Sequence, residues 1–452
     1  MATPAVAAQH AAAPPIPTAP GALPLLGHLP HLVRNPLRYL ETLPAHGDLV
    51  ALRLGRKNIV VVCDPKLTHQ VLVLDNVYDK GGPLFDAARR RIPHAVGIVP
   101  HGEHRRLRRM MQPSFHHSRM AGYGAIMTAQ IDAATSAWHE GQSIDVVAEM
   151  MKITTRVVTS AMFSAAVTGD ALAQMIDDSI EMLSGLMRDT ALPGPLRRLA
   201  PGNRRYEQAV ARLRQAMLDI IVQRRAEGTD HGDLLSALLE GSVEESGDQM
   251  SNDEIIDQLV LFVLAGVDST AQTVSWSLYE LSRHPEIEAA LHDEVDRTLG
   301  SGPARHEHLA GLELTGRIIT EILRLHVPSW MFTRYTTTDT ELGGYRIPKG
   351  TDVVYSPYII GLRPQTFADP DLFDPDRWLP DQASAVPREG YIPFGGGARK
   401  CIGNDFAVME DTMMLATIAS RWSLEAVPGN KIGTSRGIVQ RPQGLRLRAV
   451  AR

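Results

Sequence analysis

Ser251-Asn-Asp-Glu254 opens the longest helical pattern in this 452-residue chain. A serine that accepts from the N3 amide, answered by a glutamate at N3, satisfies two donors that a helix start otherwise leaves unpaired. Ile255, Leu259, Phe262 and Val263 follow at helical spacing. The pattern runs to Arg283, where His284-Pro285 ends it and opens another helix. About 32 residues at 1.5 Å of rise make a rod of roughly 48 Å. A helix of that length crosses the whole molecule, so the remaining elements must pack around it. Between about 101 and 300 the patterns are mostly helical. Residues 48–54 and 58–63 flank Gly55-Arg56-Lys57 and read as a β-hairpin, with a second hairpin expected over 342–354. Residues 81–100 read as a loop carrying arginines at 89 to 91, and the stretch 361–400, rich in Pro, Asp and Gly, reads as irregular. There is no internal repeat. The expected fold class is mainly α with small β-sheets (α+β), as one domain over 16–452. The Ala/Pro-rich residues 1–15 are expected to be disordered.

Composition excludes several functions. A net charge of −5 offers nothing global to nucleic acid. Two cysteines make no disulfide framework and fit a reducing cytoplasm. Cys63 ends the apolar run Asn58-Ile-Val-Val-Val-Cys63 and reads as strand core. No Lys or Arg precedes Arg34, and prolines at 4, 14, 15, 17, 20, 24 and 30 break any apolar helix there, so neither a signal peptide nor a membrane anchor is expected.

The other cysteine lies in Phe394-Gly-Gly-Gly-Ala-Arg-Lys-Cys-Ile-Gly403. Three glycines let the backbone turn and approach a neighbour closely. Phe394 offers an aromatic plane and Arg399 a positive charge near the sulfur of Cys401. A helix expected from Asn404 adds N-terminal amides that favour a thiolate. The other reading is an inert cysteine beside a glycine-rich turn. The stretch resembles the cysteine-ligand loop of the cytochrome P450 family, Phe-x-x-Gly-x-Arg-x-Cys-x-Gly, at every fixed position, and the resemblance covers nearly the whole chain. It implies a P450-like fold and haem b (iron protoporphyrin IX), with Cys401 as the proximal iron ligand.

The same resemblance extends to other motifs. Ala265-Gly-Val-Asp-Ser-Thr270 is similar to the family's oxygen-activating motif, with Ser269 where the family has Thr. It implies Asp268 and Ser269 as a proton relay and Gly266 as a low point where the helix passes over the haem. A Ser269 hydroxyl bonded back to a carbonyl four residues earlier is the alternative. His104, Arg108, Arg334 and Arg399 correspond to contacts of the haem carboxylates, His104 standing where the family usually has Trp. Arginine suits that task because its fork pairs a carboxylate at two points. Glu321-Ile-Leu-Arg324 and Arg377 resemble a structural triad that supports the cysteine loop. The substrate pocket is expected near residues 83–99 and at Leu261, Leu264, Ala265, Ser329, Trp330 and Ile438; these are largely apolar, although each also reads as core.

Residues 16–28 and the C-terminal third resemble terpene-oxidising bacterial members. The implied activity is monooxygenation of an apolar small molecule by O₂, with electrons from ferredoxin and ferredoxin reductase, in a monomer. Arg105, Arg106, Arg109 and Lys400 either steer such an acidic partner or form an ordinary charged face. A peroxide-driven peroxygenase and a non-catalytic haem sensor are the alternatives, and the Asp268–Ser269 pair speaks against both.

Overall fold

The computed structural model describes residues 14–164, 169–191, 200–240, 242–243, 248–300, 302–429, 432–434 and 439–452. Most of the expected disordered segment therefore lies outside the described residues, as does Ile438.

The long helix spans Asn252–Leu281, and its capping box forms as expected: Ser251 Oγ accepts from Glu254 N at 3.2 Å, and Glu254 Oε2 accepts from Ser251 N at 2.9 Å. The helix serves two apolar cores. Its C-terminal half places Ala271, Val274 and Leu278 among Ile153 and Val157 of helix Val146–Phe163, Ile318 and Ile322 of helix Glu313–Leu325, and Met413 and Leu415 of helix Asn404–Ala419. Its N-terminal half places Ile255, Leu259 and Val263 among Phe85, Val96, Leu107, Leu213 and Ile221. Thr154 Oγ1 donates to the Val267 carbonyl at 3.1 Å and ties helix Val146–Phe163 to the spine where the two cores meet.

A five-stranded sheet stands to one side. Its order is Leu49–Leu54, Lys57–Val62, Asp352–Tyr355, Phe332–Thr336, Tyr78–Lys80, antiparallel except where Asp352–Tyr355 runs parallel to Lys57–Val62. Period-two alternation divides its side chains between two cores. Leu52, Ile59, Val61, Cys63 and Val354 face one; Leu49, Val60, Val62, Val353 and Tyr355 face the other. Cys63 is strand core as expected, and burial pushes its thiol up to about 12.

Two sequence expectations need correction. The second hairpin closes over Thr340–Leu342 and Tyr345–Ile347 around Gly343-Gly344, and strand Asp352–Tyr355 leaves it for the larger sheet. The supposed loop after Gly81 contains a helix, Pro83–Arg89, because a proline at the first turn is preorganised for helix and Ala87 and Ala88 pack inward. Residues 361–400 hold only short helical turns, in keeping with their composition.

Candidate active site

The glycine-rich loop is shaped by what lies under it. Gly395 and Gly397 take φ of +69° and +64°, and a Cβ on Gly397 would sit 2.2 Å from the carbonyl oxygen of Leu72. Cys401 N donates to Phe394 O at 3.0 Å and closes the loop, and helix Asn404–Ala419 begins three residues later. Phe394 packs against the first core. Phe115 links the loop to the spine: its ring lies edge-on to Phe262 at 5.4 Å and 3.7 Å from where a Gly403 Cβ would stand.

Cys401 is exposed by area, yet burial is the leading cause of a raised thiol pKa, with the Gly403 amide and the charges of Arg108, Lys400 and Lys80 pulling it down. Both facts hold for a sulfur that faces a concavity walled by protein. The Gly403 amide favours the thiolate, in the direction expected of amides near a helix start, but desolvation outweighs the donors; direct bonding to a metal cation is what deprotonates such a thiol.

The spine presents the opposing surface. After the first turn of Asn252–Leu281, Ala265 is the single exposed residue of this otherwise interior helix, and Leu261, Phe262, Leu264 and Ser269 beside it are half-buried. Gly266 is turned elsewhere: a Cβ there would meet Val158 at 3.4 Å, so its small size serves helix Val146–Phe163. Ser269 Oγ donates to Ala265 O at 2.7 Å, the back-bonded arrangement, which leaves its lone pairs able to accept. Asp268 is buried and doubly held, by Arg441 at 2.5 Å and by Gln272 Nε2 at 3.0 Å.

Cations collect beside the sulfur. Lys80 lies directly opposite Arg334 across the antiparallel strands, although like charges in that position repel. Lys80 Nζ is 4.9 Å from the centre of the Phe85 ring. Burial first, then Arg334 and Arg399, push its pKa well below the usual lysine range. Arg334 is buried with Nε and Nη1 lacking any partner, and the Nδ1 of buried His104 lacks one too. Burial, Arg399 and Arg108 depress the His104 imidazole to about 3, so it is neutral.

These unpaired donors want a buried anion, and they fit a flat chelate that carries two carboxylates. Lys80 was missed in the sequence because only the strand register sets it against Arg334. The other two expected contacts are already engaged. Arg399 donates to Asp75 (3.3 Å), Asp79 (2.8 Å) and Val99 O (2.8 Å), and Arg108 donates to Lys400 O (2.6 Å) and Gln112 (3.1 Å). On the charged face, Arg106 pairs with Glu254, while Arg105, Arg109 and Lys400 are exposed.

The three scaffold residues meet. Glu321 receives Arg324 at 2.7 and 2.8 Å with both side chains fully buried. Arg377 lies at 3.3 Å, and Trp378 Nε1 and the Asp374 amide also donate to the same carboxylate. Arg324 further donates to the carbonyls of Gly361, Pro370 and Leu372, which pins the irregular segment ahead of the cysteine loop. A buried ion pair is tolerated when its remaining hydrogen-bonding capacity is filled in this way.

Of the expected pocket residues, Leu261, Leu264, Ala265 and Ser329 keep accessible surface. Trp330 does not belong with them. It packs with Leu40, Leu52, Ile59 and Val354 under the sheet, and alternation leaves the next residue, Met331, exposed.

A family model described as Cytochrome P450 matches residues 17–448. The chain is 42% identical over 438 residues to pentalenene oxygenase of Streptomyces avermitilis, covering 96% of this chain and 97% of that one. It is 44% identical over 417 residues to cyclooctatin synthase of Streptomyces melanosporofaciens (92% and 91% covered). It is 42% identical over 418 residues to cyclooctat-9-en-7-ol 5-monooxygenase of the same organism, with the same coverage. A crystal structure of the cytochrome P450DA heme domain superposes with a TM-score of 0.89 at 25% identity, covering 98% of this chain and 99% of that one.

Proposed function

The chain belongs to the cytochrome P450 family, and from that premise we propose that it places one oxygen atom from O₂ into a C–H bond of a terpene-like hydrocarbon, with electrons from a ferredoxin system. The observation that carries the reading is the cross-strand pair of half-buried Lys80 and buried Arg334, with two unpartnered Arg334 donors, in the electrostatic field of Cys401. Haem b, when bound, supplies the O₂ and redox chemistry. Cys401 would hold its iron; Lys80, His104 and Arg334 would hold its carboxylates.

The other steps belong to the chain. Leu261, Leu264 and Ala265 line an apolar wall that excludes water and positions a hydrocarbon. Asp268 brings a proton to the Ser269 region, and Ser269 Oγ, its own proton committed to Ala265 O, accepts from whatever donor stands above it. Relatives that oxidise terpenes support the substrate class.

The test has three parts. The purified, reduced protein under carbon monoxide is expected to give the long-wavelength Soret band of a thiolate adduct, lost in Cys401→His. Lys80→Ala and Arg334→Ala are expected to retain haem poorly. A panel of terpene hydrocarbons with ferredoxin, its reductase and NADPH is expected to yield hydroxylated product. Turnover with hydrogen peroxide alone would point to a peroxygenase, and an absent thiolate band would remove the proposal altogether.

A further inference from the structure

Pro24-Leu25-Leu26 forms the tip of a small loop that Leu23 and Gly27 close with two backbone hydrogen bonds of 2.9 Å. The loop is fastened to the hairpin behind it. His28 N donates to Arg53 O at 2.7 Å, Gly55 N to Leu26 O at 3.2 Å, and Arg53 Nη2 to Leu23 O at 2.9 Å. Gly27 has φ +63°, and a Cβ there would fall 2.0 Å from Arg53 O, so the close approach requires glycine. A loop tied in this way cannot turn its leucines inward. Leu25 is 91% exposed and sits at φ 63°, a region a leucine rarely adopts. Leu23 and Leu26 beside it are exposed, and so are Leu29 and Val33 on helix Leu29–Arg34. Among the described residues, five of the eleven exposed large apolar side chains fall between Leu23 and Val33. Singly scattered apolar residues are ordinary on a surface; this density marks an interaction site.

The rim of the patch is basic. Arg34 and Arg38 stand just after it, and Arg53, Arg56 and Lys57 come from the hairpin tip; all five are exposed. No Asp or Glu occurs before Glu41. The neighbouring acids are engaged or remote. Asp352 pairs with Lys57, and Glu41 accepts from the Tyr358 hydroxyl at 2.5 Å. Asp48 precedes the far end of strand Leu49–Leu54, about 20 Å from the tip at roughly 3.3 Å per residue. A convex apolar apex ringed by arginines has no groove for a peptide or helix. It matches an interface with acyl chains at its centre and phosphates around it.

We propose that this patch docks the protein on an anionic lipid surface, with Leu25 and Leu26 among the acyl chains and the arginines against the headgroup phosphates. No helix among the described residues is long and apolar enough to cross a membrane, so the contact is interfacial.

The experiment is co-sedimentation of the full-length, haem-loaded protein with phosphatidylglycerol–phosphatidylcholine vesicles and with pure phosphatidylcholine vesicles. Binding is expected to the anionic vesicles only, and to fall as salt rises. Leu25→Asn with Leu26→Asn is expected to lower the partition coefficient at least about tenfold; asparagine tolerates the left-handed conformation, so the loop keeps its shape. Arg34→Gln with Arg56→Gln is expected to cost roughly fivefold per arginine. Val222→Asn, another exposed apolar site on helix Asn203–Glu227, is expected to change nothing. An unchanged Soret spectrum and thermal midpoint show that the variants fold. Failure to bind anionic vesicles, or binding that the double Leu variant retains, overturns the proposal. So does a self-association that this variant abolishes without any lipid binding, which would assign the patch to a second copy. Vesicle binding gained only when residues 1–13 are deleted overturns it as well, since the chain's own start would then be the occupant.

Discussion

Asp268 is held by two groups that no local pattern announces. Gln272 is one turn further along the same helix, but Arg441 arrives from 173 residues away in the sequence, on the segment where Gln440 O accepts from Trp276 Nε1 at 3.2 Å. The Arg441 side chain is partly exposed while Asp268 is buried, so the pair joins the interior acid to solvent. Arg441→Gln leaves a buried carboxylate with only an amide partner. We expect a loss of about 1–2 kcal/mol, reduced from the fully buried case by the exposure of the arginine, and a several-fold fall in product formed per NADPH consumed. Arg441→Lys is expected to recover most of both. Coupling unchanged in Arg441→Gln would separate the pair from catalysis. Ser269→Ala removes the acceptor and is expected to raise the hydrogen peroxide released per NADPH; equal peroxide yields would leave Ser269 as a mid-helix hydroxyl bonded back to Ala265 O and nothing more. The motif that holds Asp268 and Ser269 could be picked out in the sequence because it is local, and their relay role is the reading proposed above. Arg441 and Lys80 could not be picked out, since strand register and chain return decide their neighbours.

Helix Asn404–Ala419 carries the anomaly at the scale of elements. Glu410 and Asp411 are fully buried side by side; both Glu410 oxygens and Asp411 Oδ1 have no hydrogen-bond partner. Burial pushes both carboxyls well above their ordinary range, and Glu410 raises Asp411 further. The sign follows directly. A carboxyl whose folded pKa is raised binds more protons folded than unfolded, so it costs nothing below its unfolded value near 4 and increasingly destabilises the fold as pH rises above it. Asp411→Asn removes that cost. Its thermal midpoint is expected to exceed that of the parent at pH 8 by several degrees and to match it near pH 4; a midpoint lowered at both pH values would mean that the carboxylate has a stabilising partner. Element by element, the capped spine and the first hairpin could be read from sequence, because caps and alternation act within a few residues. The parallel strand Asp352–Tyr355 and the inward turn of Trp330 could not, because a one-residue change of register inverts every face.

For the whole molecule, charge is concentrated where the sheet, the helix His101–Met111 and the cysteine loop come together. The sheet contributes Lys80 and Arg334, the helix His101–Met111 contributes His104 and Arg108, and the loop before helix Asn404–Ala419 contributes Arg399 and Cys401. Within that set Asp75 and Asp79 are in ion-pair contact with Arg399, while Asp75 also acts on His104 and Asp79 on Lys80 from further away. Burial first, then Arg399 and Arg108, keep His104 neutral in the anion-free fold, with its pKa at about 3. A histidine depressed below its unfolded value near 6.5 adds nothing to pH dependence above that value. Between 6.5 and about 3 the unfolded state binds the extra proton, and stability falls as the pH falls, by at most ~1.4 kcal/mol per pH unit for this one group. A bound dicarboxylate would compensate the neighbouring arginines, which lifts the His104 pKa and reduces the slope, burial remaining as the leading cause. Haem-stripped protein is thus expected to lose urea stability between pH 6.5 and 4 more steeply than the loaded protein. His104→Asn is expected to flatten the stripped protein's curve while leaving the loaded one's slope nearly as it was. Parallel curves for stripped and loaded protein would mean that the cation cluster and the cofactor's carboxylates do not meet, and the assignment of Lys80, His104 and Arg334 would fail with them.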